Sequence, residues 1–353
     1  MFHKNYPGAW VLQCRFPPMT PPIRYFAVIL LFCSATVAWS QAPAPPSPPV
    51  PAPELEFPPI PPPPEPLPYS PKPVIVHERS LTQSDKDNIE RAVPWQPLVP
   101  PKKERKLLVF GLNMDYGGHR SIVHANYAFT LMGQRTKAFT AVVTNDPNAF
   151  CEDGLKDIDA VVFNNNVGNI FTQPLLRQCL ENYVRNGGGL LALHGATMAF
   201  VHWDGEQKGQ DDWPIFGDMV GARGMEHRES DERIFIRIDD PEHPLTQCFP
   251  KDGFEYREEF LRVADPFSRQ NLRVLLSIDN ARSNLNRPLY GDRKERPDED
   301  YALAWVKTFG SGRCCYTTFG HNSRVFWDPM MLQFYLGAIQ FVLGDLEAST
   351  EPR

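Results

Sequence analysis

Beyond position 103 the chain alternates short, wholly apolar runs with longer amphipathic stretches. In "KERKLLVFGLN", residues 107–110 are a continuous apolar run behind a basic flank, the pattern of a strand buried on both faces. A helix is expected over about 121–134, a second strand in "TKAFTAVVTND" and a third in "IDAVVFNNN". In "QPLLRQCLENYVRNG" Leu175, Leu176, Cys179, Leu180 and Val184 share one helical face, and Gly187 is placed as the C-terminal stop. A fourth strand runs through "GGGLLALHGA" and ends at a turn on His194, where many α/β enzymes present a nucleophilic Ser or Cys. Strand and helix alternating at this spacing predict an open, mostly parallel α/β sheet with helices on both faces.

The C-terminal half is less regular. "RIFIRI", "LRVLLSI", "YALAWVKTFG" and "GRCCYTTFG" read as extra strands, the last two joined at Gly310-Ser311-Gly312. "PMMLQFYLGAIQFVLG" closes the chain as a helix, with Pro329 in its first turn and Gly344 at its stop. Ahead of the body, "LTQSDKDNIERAVP" predicts a short helix capped by Ser84 or Asp85 and closed by Pro94.

Composition separates this body from what precedes it. Of 37 prolines, 21 fall between positions 41 and 103, so 41–80 reads as a stiff polyproline spacer. Before it, "PPIRYFAVILLFCSATVAWSQA" has a basic flank, an apolar core and a small-x-small end. We read 1–40 as a signal peptide with Met19 as an alternative start, and an uncleaved anchor as the minor reading. The expected organisation is leader, spacer, one folded domain over 81–347 and a tail over 348–353. Export to the periplasm or outside the cell follows from the leader. The five cysteines of the body, Cys151, Cys179, Cys248, Cys314 and Cys315, are an odd number without framework spacing, so at least one free thiol is expected. A net charge of -6 with no long basic block points away from nucleic acid and from membranes beyond that anchor. A homo-oligomer is left open.

The motifs "GGHRSI", "GGGLLALHGAT", "HPLT", "EYREEFL" and "AWVKTFGSGRCCYTTFGHNSRVFWDP", in this order, resemble the trehalose-utilisation (ThuA-like) family over about 88–345. The resemblance implies a flavodoxin-like fold similar to class I glutamine amidotransferases and a role in sugar metabolism, with 3-keto glycosides as substrate class. Family members often carry Asp-Glu and an aromatic residue where this chain has Glu258-Glu259-Phe260. True amidotransferases use an elbow cysteine, whereas His194 stands here and no Gly-x-Ser-x-Gly or Gly-x-Cys-x-Gly occurs elsewhere. Amidotransfer is therefore disfavoured.

Strand C-terminal ends line the ligand crevice in such sheets. His119 follows the first strand, His194 the fourth and His321 a late one, while His227 and the pair Glu258-Glu259 come from connections. Two chemistries fit these residue types. His194 with Glu259 or His227 can act as an acid/base pair, with His119, Glu258, His321 and Trp327 contacting substrate. Alternatively, His194, His227 and His321 can hold a divalent metal. Each residue also has a purely structural alternative, such as a core hydrogen bond for His194 or a solvated turn for the glutamates. No dinucleotide fingerprint or phosphate loop is present, so no nucleotide cofactor is expected. The expected activity is hydrolysis, elimination or isomerisation of a sugar. The competing class is a non-catalytic carbohydrate- or partner-binding module.

Overall fold

Alternate residues of a strand face opposite sides of its sheet. In β1 (Lys106–Phe110), Leu107 and Val109 enter one apolar layer and Leu108 and Phe110 the other, all buried. This computed structural model describes residues 80–286 and 296–353. The leader, the alternative start at Met19 and, but for Ser80, the spacer lie outside the described residues.

The further strands are β2 (Thr140–Thr144), β3 (Ala160–Asn164), β4 (Val167–Gly168), β5 (Gly189–Leu193), β6 (Met198–Ala199) and β7 (Arg223–Glu226). They continue with β8 (Glu232–Ile238), β9 (Phe254–Glu258), β10 (Arg262–Ala264), β11 (Arg273–Ile278), β12 (Ala302–Phe309) and β13 (Gly312–Thr317). Nine of them form one sheet in the order β2-β1-β3-β5-β13-β12-β11-β8-β9. The strands from β2 to β13 run parallel, and from β13 to β9 each neighbour is antiparallel. Two small ladders, β4 with β6 and β7 with β10, stand apart from this sheet.

Helices cover both faces. α1 (Gln83–Ala92), α2 (Ile122–Thr136) and α6 (Pro329–Val342) bury their apolar residues with Leu107, Val162 and Leu191. α3 (Glu152–Leu155), α4 (Pro174–Arg185) and α5 (Pro214–Val220) pack on Leu108, Val161 and Leu190 from the other side. Gly187 stops α4 with φ +109°, and Gly310 turns the β12–β13 hairpin with φ +61°. The fold is the expected open α/β sheet with added strands in its C-terminal half.

Two details differ from the sequence reading, and the tail makes contacts of its own. Thr82, not Ser84 or Asp85, caps α1: its Oγ1 accepts from the Asp85 amide while Asp85 returns a bond to the Thr82 amide, a reciprocal capping box. Glu258 ends a strand, β9, whose residues alternate buried and exposed as Phe254, Tyr256 and Glu258 turn inward. Residues 348–353 are tied down: Arg353 pairs with Asp240, and the Ser349 carbonyl accepts from His243 at 3.1 Å. All five cysteines of the body are free thiols, with Cys314 and Cys315 on opposite faces of β13.

Candidate functional site

Strand direction decides which residues meet. β1, β5 and β13 run in parallel, so the segments that leave them, carrying His119, His194 and His321, emerge at one edge of the sheet. Counting antiparallel steps outward from β13, β9 runs with β5 and β8 against it. β9 therefore delivers Glu259 to the same edge, and His227 lies there just ahead of β8. The backbone bond from Leu261 N–H to Thr318 Oγ1, 3.0 Å, ties the segment after Glu259 to the end of β13.

Glu259 is the hub. His194 Nε2 lies 3.3 Å from its Oε1, and His321 Nε2 and His227 Nδ1 lie 3.4 and 3.5 Å from its Oε2. The His119 ring centroid is 5.0 Å from those of both His194 and His321. Gly195 makes this approach feasible, because a Cβ there would stand 3.1 Å from His119 Cε1. Glu259 and His194 are buried, while His227 and His321 keep about a quarter of their side-chain surface open.

Backbone carbonyls fix the working nitrogen of His194. Its Nδ1 lies 2.7 Å from the Thr318 carbonyl, which can only accept, so Nδ1 carries the hydrogen and Nε2 faces Glu259. His119 Nε2 meets the Tyr116 hydroxyl at 3.3 Å.

One carboxylate cannot neutralise four imidazolium ions in a buried space. Burial lowers the pKa of His119 well below its ordinary value, helped by His194 and His321. Burial likewise pushes His321 down to about 4 against the pull of Glu259. Burial opposes ionisation of Glu259, but the adjacent His321 and His194 outweigh it and hold the carboxyl well below the usual range. At neutral pH the centre is thus an ionised carboxylate with neutral imidazoles among its neighbours. A ring nitrogen of His119, one of His194 and a Glu259 oxygen lie within 4.8 Å of one another, close enough to share a cation. It shares His194 with the expected metal trio of His194, His227 and His321.

Two expected contacts are placed differently. Glu258 lies beneath the centre, fully buried, with Oε1 accepting from the Asn322 amide at 2.8 Å. Burial pushes its carboxyl up to about 7, so this group is only partly ionised at neutral pH. Trp327 meets His124 edge-on, with centroids 5.7 Å apart, and packs on the α1/α2 side of the core. Two aromatic side chains that sequence reasoning passed over stand closer. Tyr116 packs on His119 at 5.2 Å, and Trp203 packs on Tyr116 at 4.9 Å, both rings partly exposed. The spacing "DYGGH" hints at Tyr116, whereas nothing local marks Trp203.

The turn after β5 keeps an elbow's backbone without its chemistry. His194 has φ +42°, in the left-handed region where a side chain is strained. In a nucleophile elbow the next residue's N–H helps form the oxyanion hole. Here the Gly195 N–H is directed to Asn165 Oδ1 at 3.3 Å. The donor that acyl transfer needs is engaged internally, which agrees with the absence of an elbow thiol or hydroxyl.

Among solved structures, the chain is similar to a ThuA-like protein of Bacteroides uniformis at 19% identity and TM-score 0.51, covering 69% of this chain and 92% of that one. A ThuA-like protein of Parabacteroides merdae follows at 17% identity and TM-score 0.48, with 70% and 93% covered. The first likeness supports the fold alone. No functionally curated protein matches the chain. The family described as "Trehalose utilisation" (ThuA) matches residues 106–342, which include every histidine and glutamate of the centre. The chain therefore belongs to the ThuA, trehalose-utilisation family, and its role is a carbohydrate-related one.

Proposed function

We propose that the chain is a carbohydrate-directed enzyme that works by proton transfer at a histidine–carboxylate centre on an oxidised (3-keto) glycoside. One observation carries this reading: four histidines from separate segments converge on the buried Glu259 at the strand-end edge. Packing alone gives no reason to gather so many titratable groups in one place, and perturbed groups cluster where chemistry is done.

A ketone acidifies the neighbouring C–H. His194 Nε2, with Nδ1–H held by Thr318, is oriented to take that proton, and the ionised Glu259 beside it stabilises the imidazolium that forms. His227 is partly open to solvent on the far oxygen of Glu259, placed to return a proton to the departing or rearranging oxygen. The exposed parts of Tyr116 and Trp203 offer ring faces and edges against which a pyranose can lie. Elimination, hydrolysis that proceeds by elimination followed by addition of water, and isomerisation share this first proton removal. The leader-like segment and spacer support action outside the cytoplasm.

The test is turnover of a panel of 3-keto glycosides, followed by aglycone release and by solvent deuterium entering the sugar. Wild-type protein is expected to turn over at least one of them. His194→Ala and Glu259→Gln are expected to lower kcat by about 10²- to 10⁴-fold, the range for a lost acid/base group. Saturable sugar binding with neither product release nor deuterium exchange would assign the chain to the binding class instead.

A further inference from the structure

The geometry points to a divalent first-row transition-metal ion held by His119, His194 and Glu259; the inference rests on the proposed sugar-directed site. Three observations carry it. The donor atoms of the first three residues lie within 4.8 Å of one another, and all three residues are buried. Each of the two histidines has one ring nitrogen engaged away from Glu259 by an oxygen, His194 Nδ1 by the Thr318 carbonyl and His119 Nε2 by the Tyr116 hydroxyl. Metal-bound histidines are held in this way, one nitrogen by an outer oxygen and the other on the ion. His119 Nδ1 is buried and has no hydrogen-bond partner among the described residues, so in the tautomer whose Nε2–H donates to the Tyr116 hydroxyl it offers a lone pair to an ion. His321 Nε2 lies 3.4 Å from Glu259 Oε2, beside this set.

Two imidazoles and a carboxylate suit zinc, manganese, cobalt(II) or iron(II) better than calcium or magnesium, which prefer all-oxygen shells. Such a set leaves coordination positions for substrate oxygens. A ketone flanked by a hydroxyl supplies two such oxygens, which narrows the substrate class to α-hydroxy ketones of the sugar ring.

Metal content is measured by elemental analysis on untagged protein, followed by equilibrium dialysis against zinc, manganese and cobalt(II). One equivalent per chain is expected, with visible d–d bands for bound cobalt showing nitrogen ligation. His119→Ala and Glu259→Gln are expected to abolish that equivalent while circular dichroism shows a folded chain. Tyr116→Phe, which removes only the outer partner, is expected to weaken binding by about 10- to 100-fold. His202→Ala, a half-buried histidine bonded to Asn169 instead, is expected to leave binding unchanged. A folded wild-type protein that binds none of these ions, or binds them equally after His119→Ala and Glu259→Gln, overturns the proposal. The two readings fail separately. Undiminished keto-sugar turnover by chelator-treated protein would remove the metal and keep the enzyme. One tightly held equivalent with no sugar chemistry would do the reverse.

Discussion

His194 combines two features that oppose each other. Its backbone lies at φ +42°, where any Cβ is strained, yet its ring is held in place by the Thr318 carbonyl at 2.7 Å. Ordinarily glycine is the worse replacement, because it loses more freedom on folding. Here both Ala and Gly delete the ring, but only Gly relieves the left-handed backbone, which costs a side chain about 1–2 kcal/mol. We expect His194→Gly to be more stable than His194→Ala by about 1 kcal/mol in urea unfolding, with both inactive. An alanine variant of equal or greater stability would mean that the elbow is unstrained. At this scale the sequence was partly legible. His194, His119 and His321 could be picked because they follow recognisable strands, whereas His227 and Glu259 were picked from connections by residue type alone. Trp327 was picked over Trp203 because proximity in sequence to His321 suggested proximity in space. The short turn after residue 322 carries Trp327 away to His124 instead.

The elements were read most surely where burial is two-sided. The continuous apolar runs of β1, β3 and β5 have one interpretation, since both faces are covered by helices. β9 was missed because its inward row, Phe254, Tyr256 and Glu258, ends on a carboxylate, and an ionisable residue breaks an alternation that depends on hydrophobicity. Close packing of helix on strand also leaves its mark in glycine. At Gly189, the first residue of β5, an added Cβ would lie 2.1 Å from the Val342 carbonyl of α6 and 2.9 Å from Ala160 Cβ in β3. Both obstacles are fixed by secondary structure, so the helix must move. Gly189→Ala is expected to destabilise the chain by about 3 kcal/mol, the upper end of overpacking costs, seen as a lowered denaturation midpoint. Because β5 leads directly into His194, the same variant should also lose activity.

Over the whole molecule, β13 occupies the middle of the nine-stranded sheet, between β5 and β12. Its two cysteines point into the two separate apolar layers, Cys315 into that of α6 and Cys314 into that of α4 and α5. Burial pushes the Cys314 thiol up to about 12 and that of Cys315 higher still. A raised thiol pKa means that the reactive thiolate is scarce until pH approaches that value, so alkylation at pH 8 requires the sheet to open. In the native protein, iodoacetamide should reach the half-buried Cys151 and Cys179 first. Cys314 and Cys315 should label together, at the rate of global unfolding, when followed by mass spectrometry. Rapid labelling of either one alone would show that the sheet centre opens locally.

The place of β13 also bears on how the chain is made. Of the nine strands described in this sheet, the one at its centre is synthesised last, starting at Gly312. Until it leaves the ribosome, β5 has an unpaired edge, and the early strands β1, β2 and β3 lie on the far side of a gap from β8, β9, β11 and β12. A nascent chain halted before that point holds two incomplete half-sheets with open edges, the form in which strands pair with the wrong partner. Production of this protein should therefore be sensitive to anything that slows translation between β12 and the end of β13, and chaperones that shield strand edges should matter most during that interval.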